Sequence, residues 1–110
     1  MSGVRVEPWK GTEPPTEQEA EARLRKEGYE TFVWNDVPGA HYPRHRHGYD
    51  ECLWILKGEI TFQIEGREYA LKPGDRLYLP AHIPHTAQVP EARGVTYLVG
   101  QKKVGPTFSG

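Results

Sequence analysis

Between Gly39 and Gly58 the sequence reads G-A-H-Y-P-R-H-R-H-G-Y-D-E-C-L-W-I-L-K-G, and its chemistry is concentrated there. In an extended strand, side chains two apart point the same way, which puts His45 and His47 on one face. Glu51 has the same parity, and a bend at Gly48 brings it round to the same point. Two imidazoles and a carboxylate converging on one interior spot make half of a metal site. Imidazole suits Fe, Mn, Ni, Cu and Zn, and a carboxylate adds a hard anionic ligand that favours divalent ions. The pattern H-x-H-x-x-x-E is only suggestive by itself, because a histidine within a strand is more often a half-buried polar residue than a ligand.

The elements that must hold these residues are mostly short strands. Ten prolines and twelve glycines break the chain too often for long helices. One helix is expected: Thr16 and Glu19 form a capping box after Pro14-Pro15, and a charged run continues through Arg25 and Lys26 to a stop at Gly28. Its apolar residues are sparse (Ala20, Ala22, Leu24), so it reads as a surface helix without chemistry. The segment before it, with Val4, Val6 and Trp9, suits an arm added to a sheet edge or to a partner subunit. From Tyr29 the pattern changes. Strands are expected at Thr31 to Trp34, Cys52 to Lys57, Ile60 to Ile64, Arg67 to Leu71, Leu77 to Leu79, Thr86 to Val89 and Val95 to Val99. Glu65-Gly66 is a two-residue hairpin turn and Pro73-Gly74-Asp75 another turn. Short, regularly spaced strands predict an antiparallel sandwich or barrel.

Set in this frame, the histidine segment resembles the first motif of the cupin superfamily: Gly39, five residues, His45-x-His47, three residues, Glu51, six residues, Gly58. Gly74, five residues, Pro80 and then His85 are similar to the second motif in register. The chain is thus identified as a small single-domain cupin of the cupin 2 type. The resemblance implies an all-β fold, an antiparallel double-stranded β-helix (jelly-roll) barrel over residues 29–100. Residues 1–28 are then an N-terminal arm and surface helix, and 101–110 a C-terminal tail that Phe108 can anchor. Carried over position by position, the implied metal ligands are His45, His47, Glu51 and His85. Two positions depart from the motif: His82 stands where a turn glycine is usual, which makes it a further candidate to face the pocket, and Val89 stands where asparagine is usual. Neither is a ligand position.

A barrel interior strengthens the metal reading, since inward imidazoles and a carboxylate left without partners are costly. Other candidates are weaker. His41 shares the parity of His45 and His47, although a surface loop histidine is the plainer reading; Tyr42, Arg44 and Arg46 then point the other way. Of Arg76, Leu77, Tyr78 and Leu79, the leucines are expected inside. Trp34, Phe62 and Tyr97 line the cavity or belong to the core. Cys52, the single cysteine, lies in an apolar run and reads as a buried hydrophobe, so no intrachain disulfide or cysteine zinc site is available. Around it, Trp54 and Leu56 oppose Ile55 in parity. A strand apolar on both faces needs an outer cover, most simply a second copy, and a homodimer is expected.

Composition narrows the function. Of 110 residues 36% are apolar and 26% charged, with net charge −1 and no basic stripe, so nucleic acid is disfavoured as a partner. No apolar run is long enough to span a membrane and the start lacks a signal-peptide pattern, which predicts a cytoplasmic protein. Cofactor and partner are expected to be one divalent transition metal ion (Fe, Mn, Ni, Cu or Zn) and a small-molecule ligand. A three-histidine, one-glutamate set leaves coordination positions open on a six-coordinate ion, unlike a closed structural zinc site. The expected function is a metal-dependent enzyme of oxygenase or oxidoreductase type acting on a small oxygen-rich molecule, with Glu51 leaving the metal to serve as the catalytic base. The alternatives are a metal-dependent isomerase and a non-catalytic ligand-binding or sensor cupin, although no helix-turn-helix output domain fits in this chain. Since imidazole binds metal only when neutral, occupancy is expected to fall below about pH 6.5.

Overall fold

The Gly and Pro breaks become strand ends in the computed structural model, which describes residues 3–103. The elements run β1 (Arg5–Glu7), α1 (Glu17–Lys26), β2 (Glu30–Asp36), β3 (His41–His45), β4 (Tyr49–Lys57), β5 (Ile60–Ile64), β6 (Arg67–Leu71), β7 (Arg76–Leu79), β8 (His85–Gln88) and β9 (Val95–Lys103). They form two sheets, ordered β1-β7-β4-β9-β2 and β3-β8-β5-β6. Every pairing is antiparallel. This is the expected double-stranded β-helix. Glu65 and Gly66 both have positive φ (55° and 79°) and close the β5–β6 hairpin, as a two-residue turn of the I′ type requires. β9 continues through Lys103, three residues past the barrel end expected at 100, and Phe108 lies outside the described residues.

The inner faces of both sheets meet in one core that includes Leu53, Ile55, Ile60, Ile64, Leu77 and Leu79. Leu77 and Leu79 point inward as expected, but Arg76 does not reach solvent on the other side. It is 2% exposed. The reason is α1, which is no mere surface helix: Ala20 and Leu24 are fully buried and pack with Cys52, Trp54 and Leu98 on the outer face of the larger sheet. The cover that the apolar outer face called for is therefore intramolecular, and a second copy is not needed to supply it. Trp9 completes the layer, edge-on to Trp54 at 6.4 Å between ring centroids. It rests on Gly74, where φ is +94° and an added Cβ would land on the indole. Only glycine serves at that turn on both counts.

Arg76 is clasped in this outer layer. Its Nη2 donates to Glu27 Oε1 at 2.8 Å, Nη1 lies 3.9 Å from Glu7 Oε1, and the guanidinium sits 4.5 Å from the Trp54 ring and 4.7 Å from that of Tyr78. The Thr16–Glu19 capping box forms as expected and fixes the start of α1. Arm, helix and β7 are thus joined through one side chain. β1 pairs with β7, so the arm does extend the sheet edge.

Candidate metal centre

β3 and β8 pair antiparallel with His45 directly opposite His85, which sets their rings 4.3 Å apart between centroids. His47 lies just beyond β3, in the short link to β4, with its ring 4.9 Å from that of His45 and 5.3 Å from that of His85. The three side chains offer nitrogens that all lie within 4.8 Å of one another, the arrangement a metal ion needs. Glu51 stands beside this trio rather than within it. Its Oε1 is 3.8 Å from His47 Nε2.

The hydrogen bonds on the far side of each ring test whether the trio suits a metal. His45 Nδ1 is 2.6 Å from the Pro43 carbonyl, and His85 Nδ1 is 2.9 Å from the Ile83 carbonyl. A carbonyl only accepts, so both Nδ1 atoms carry the proton and both Nε2 atoms present a lone pair. His47 Nδ1 is 3.1 Å from the Tyr49 hydroxyl. Outer partners that fix tautomer and ring orientation in this way are characteristic of ligating histidines. The donor set fits a divalent transition metal. Burial, followed by the neighbouring imidazoles, holds the pKa of His47 below the usual value, and burial does the same for His85. Both changes favour the neutral, metal-binding form. Glu51 is 8% exposed, and burial raises its carboxyl to about 7.

These residues line a cavity of about 210 Å³. That is below the ~300–1,000 Å³ typical of sites for drug-sized molecules, so the ligand is small. Trp34, Phe62 and Tyr97 line it, the first of the two roles the sequence left open for them. Tyr42 lines it too, against expectation. The alternation that turned Tyr42 outward assumes a regular strand, but the β3–β8 register shifts between Tyr42 and His45. That bulge lets both face inward. Phe32, Tyr49 and Gln101 also line it and were not singled out; Tyr49 was readable, since it alternates with Glu51 and Leu53 on the inner face of β4.

Two sequence candidates stay out of the site. His41 is exposed and its Nδ1 lies 2.9 Å from Gln88 Oε1. His82, in the glycine position of the second motif, has φ +69° and is exposed. Its backbone N–H donates to the His47 carbonyl at 2.7 Å, so the positive φ goes with a bond that helps to place the segment carrying His47.

A profile of the cupin domain matches residues 32–99. The chain belongs to the cupin family. This cupin is similar in structure to a cupin 2 domain-containing protein of Halorhodospira halophila, at TM-score 0.69 and 21% identity over 92% of this chain and 76% of the other. That likeness is one of fold. It is also similar to the dimethylsulfoniopropionate lyase DddQ of Ruegeria pomeroyi. In sequence the two are 39% identical over 51 residues, covering 46% of this cupin and 25% of the lyase. The lyase crystal structure superposes with TM-score 0.63 and 31% identity over 73% of this cupin and 41% of that chain. A third relative is the uncharacterized HTH-type transcriptional regulator YobQ of Bacillus subtilis, 39% identical over 44 residues, 40% of this cupin and 18% of the regulator. The cupin thus spans less than half the length of the lyase and regulator it matches. Among the described residues no helix is long and apolar enough to cross a membrane.

Proposed function

We propose that this cupin is a metal-dependent enzyme acting on a small oxygen-rich acid, with His45, His47, His85 and Glu51 holding one divalent transition metal ion. The observation that carries the reading is the histidine trio: three nitrogens within 4.8 Å, lining a small cavity, with two rings tied by Nδ1 to carbonyls. When bound, the metal supplies Lewis-acid activation of the substrate's oxygen atoms. The chain's own part is to orient and to move protons. Glu51, 3.8 Å from His47 Nε2, is placed to take a proton from a substrate carbon next to the activated group. Aromatic side chains, Trp34, Phe62 and Tyr97 among them, line the cavity in which the reacting carbon would sit.

The ligand set by itself favours oxygenase or oxidoreductase chemistry. Likeness to a lyase supports a redox-neutral elimination instead: a base takes the proton α to a carboxylate, that electron pair becomes the C=C bond, and the group on the β-carbon leaves with its bonding electrons. We place elimination first and oxygenation second. Likeness to a transcriptional regulator favours a further reading, in which the same site only binds its ligand for a partner protein. A homodimer and a cytoplasmic setting remain part of the proposal, the dimer now without the outer face as its argument.

Elemental analysis of the purified protein, paired with oxygen consumption and alkene release on small β-substituted acids, separates these readings. Metal with alkene release and no oxygen uptake supports elimination, while oxygen uptake supports the oxygenase. A protein that purifies without metal and binds none refutes the whole reading.

A further inference from the structure

Besides the histidines, the cavity lining includes a second polar feature, three aromatic side chains held by Asp36 at the end of β2. Asp36 Oδ1 accepts from Trp34 Nε1 at 2.9 Å and from the Tyr42 hydroxyl, and its Oδ2 accepts from the Tyr97 hydroxyl at 2.8 Å. Trp34 Nε1 lies 3.0 Å from the Tyr42 oxygen as well. One carboxylate thus gathers three aromatic side chains from β2, β3 and β9, and all three line the cavity. Among the described residues no Lys, Arg or His pairs with Asp36, and neither Lys nor Arg lines the cavity.

The electrostatic consequence is directional. Both phenols spend their protons on Asp36, so what they offer the cavity is oxygen lone pairs and electron-rich rings. Ring faces backed by an uncompensated carboxylate attract cations and repel anions, most strongly where water is scarce. The metal site has the opposite preference. A ligand fits both if it is anionic at the metal and cationic at the aromatic cluster. A primary ammonium, with three donors to satisfy, would find only the two phenol oxygens in this cluster, since Asp36 already takes three donors, whereas a methylated onium needs only ring faces and negative potential.

We propose that Asp36, through Trp34, Tyr42 and Tyr97, is the specificity determinant of this cavity, and that its ligand is a small carboxylate bearing a methylated onium head, quaternary ammonium or sulfonium. This rests on the metal-centred reading above for the carboxylate end. It assigns the other end and names the residue that governs it.

The test compares two ligands on metal-loaded protein by calorimetry: trimethylammoniopropanoate and its uncharged tert-butyl isostere, in which carbon replaces nitrogen. The shapes match, so the ratio of affinities isolates the charge. The onium ligand is expected to bind about tenfold more tightly, the scale of one desolvated cation–π contact, and Asp36→Asn should bring the ratio to within about threefold. The exposed Trp34→Leu is a second variant that leaves the fold alone and should also lower the ratio. Dimethylsulfoniopropionate, against its isopropyl isostere, shows which onium is preferred. Equal affinity of the two isosteres, a ratio unchanged in both variants, or failure of either onium ligand to bind overturns the proposal. Stripping the metal separates the two claims: if both affinities survive it unchanged, the metal-centred reading fails while the charge ratio still decides the role of Asp36.

Discussion

His85 donates its Nδ1–H to the carbonyl of Ile83, two residues earlier, at 2.9 Å. His45 repeats the arrangement with the carbonyl of Pro43 at 2.6 Å. In both cases a proline lies within the short span, Pro43 as the acceptor and Pro84 between donor and acceptor. Proline fixes its own φ and restrains the preceding residue. The backbone that receives the ring proton is therefore stiff, and the tautomer is set by a local, sequence-encoded device. Replacing either ring should abolish tight metal binding without unfolding the barrel. Metal content by elemental analysis is expected to fall to background in the His45→Ala, His85→Ala double variant, with the far-ultraviolet circular dichroism spectrum unchanged. Retention of stoichiometric metal would falsify the ligand assignment.

Tyr49 is predicted to tune the metal from outside. Its hydroxyl is 3.1 Å from His47 Nδ1 and its ring stacks on the imidazole at 4.9 Å. Tyr49→Phe keeps the stack and deletes the hydrogen bond, so the affinity should drop by about ten- to a hundredfold, as for other outer partners of ligating histidines. Competition with a chelator of known affinity measures it.

In the metal-free protein, His47 and His85 are expected to titrate below the ordinary imidazole value of 6.5, because burial disfavours the imidazolium. Metal should then be retained to a lower pH than free imidazole suggests. Nitrogen-detected NMR titration of the ring resonances reads this directly, and midpoints at or above the free value would contradict it.

Arg76 carries the prediction for stability. Arg76→Ala removes the stem between Trp54 and Tyr78 along with the ion pairs to Glu27 and Glu7. Both carboxylates are left partly exposed, at 33% and 54% of the side chain, and can rehydrate. The loss should therefore lie near the low end of the ~3–5 kcal/mol found when buried pairs are broken. Arg76→Met, which refills the slot, should recover a good part of it in urea unfolding.

The same pair gives stability a pH dependence. The hydrogen bond from Arg76 holds the Glu27 carboxyl below its usual 4.5. A depressed carboxylate contributes its stabilisation above the unfolded-state value and loses it as pH falls through the folded-state value. The gap in unfolding midpoint between the parent and Glu27→Gln should be full at pH 7 and close on acidification below about 4.3. A gap that is constant with pH would show that the pair is not coupled to protonation.

Much of this arrangement can be read in the residues. The turn glycines, the Thr16–Glu19 capping box and the Glu65-Gly66 hairpin are local signals, and each one places its element. Gly58 is typical: φ is +81°, and a Cβ there would collide with the Gly94 carbonyl oxygen, so the motif glycine marks a close approach between β4 and β9. The misreadings arise where tertiary structure overrides parity. A bulge turned Tyr42 inward, and α1 buried Arg76 in a strand position that alternation alone gives to solvent. Asp36 went unnoticed because no local motif marks it: Trp34 and Tyr42 are two and six positions away, but Tyr97, which completes the cluster, is sixty-one positions on.

Trp9 resting on Gly74, with Ala20 and Leu24 against Trp54 and Leu98, bears on how this molecule can be cut. The cupin profile begins at residue 32, but the packed unit does not. A fragment trimmed to the profile-matched residues 32–99 would bare an indole, a thiol and a leucine together and leave Arg76 without its acidic partners. Such a fragment would be sticky and prone to self-association, however intact its metal site. The span of the family profile and the packed unit have different borders here.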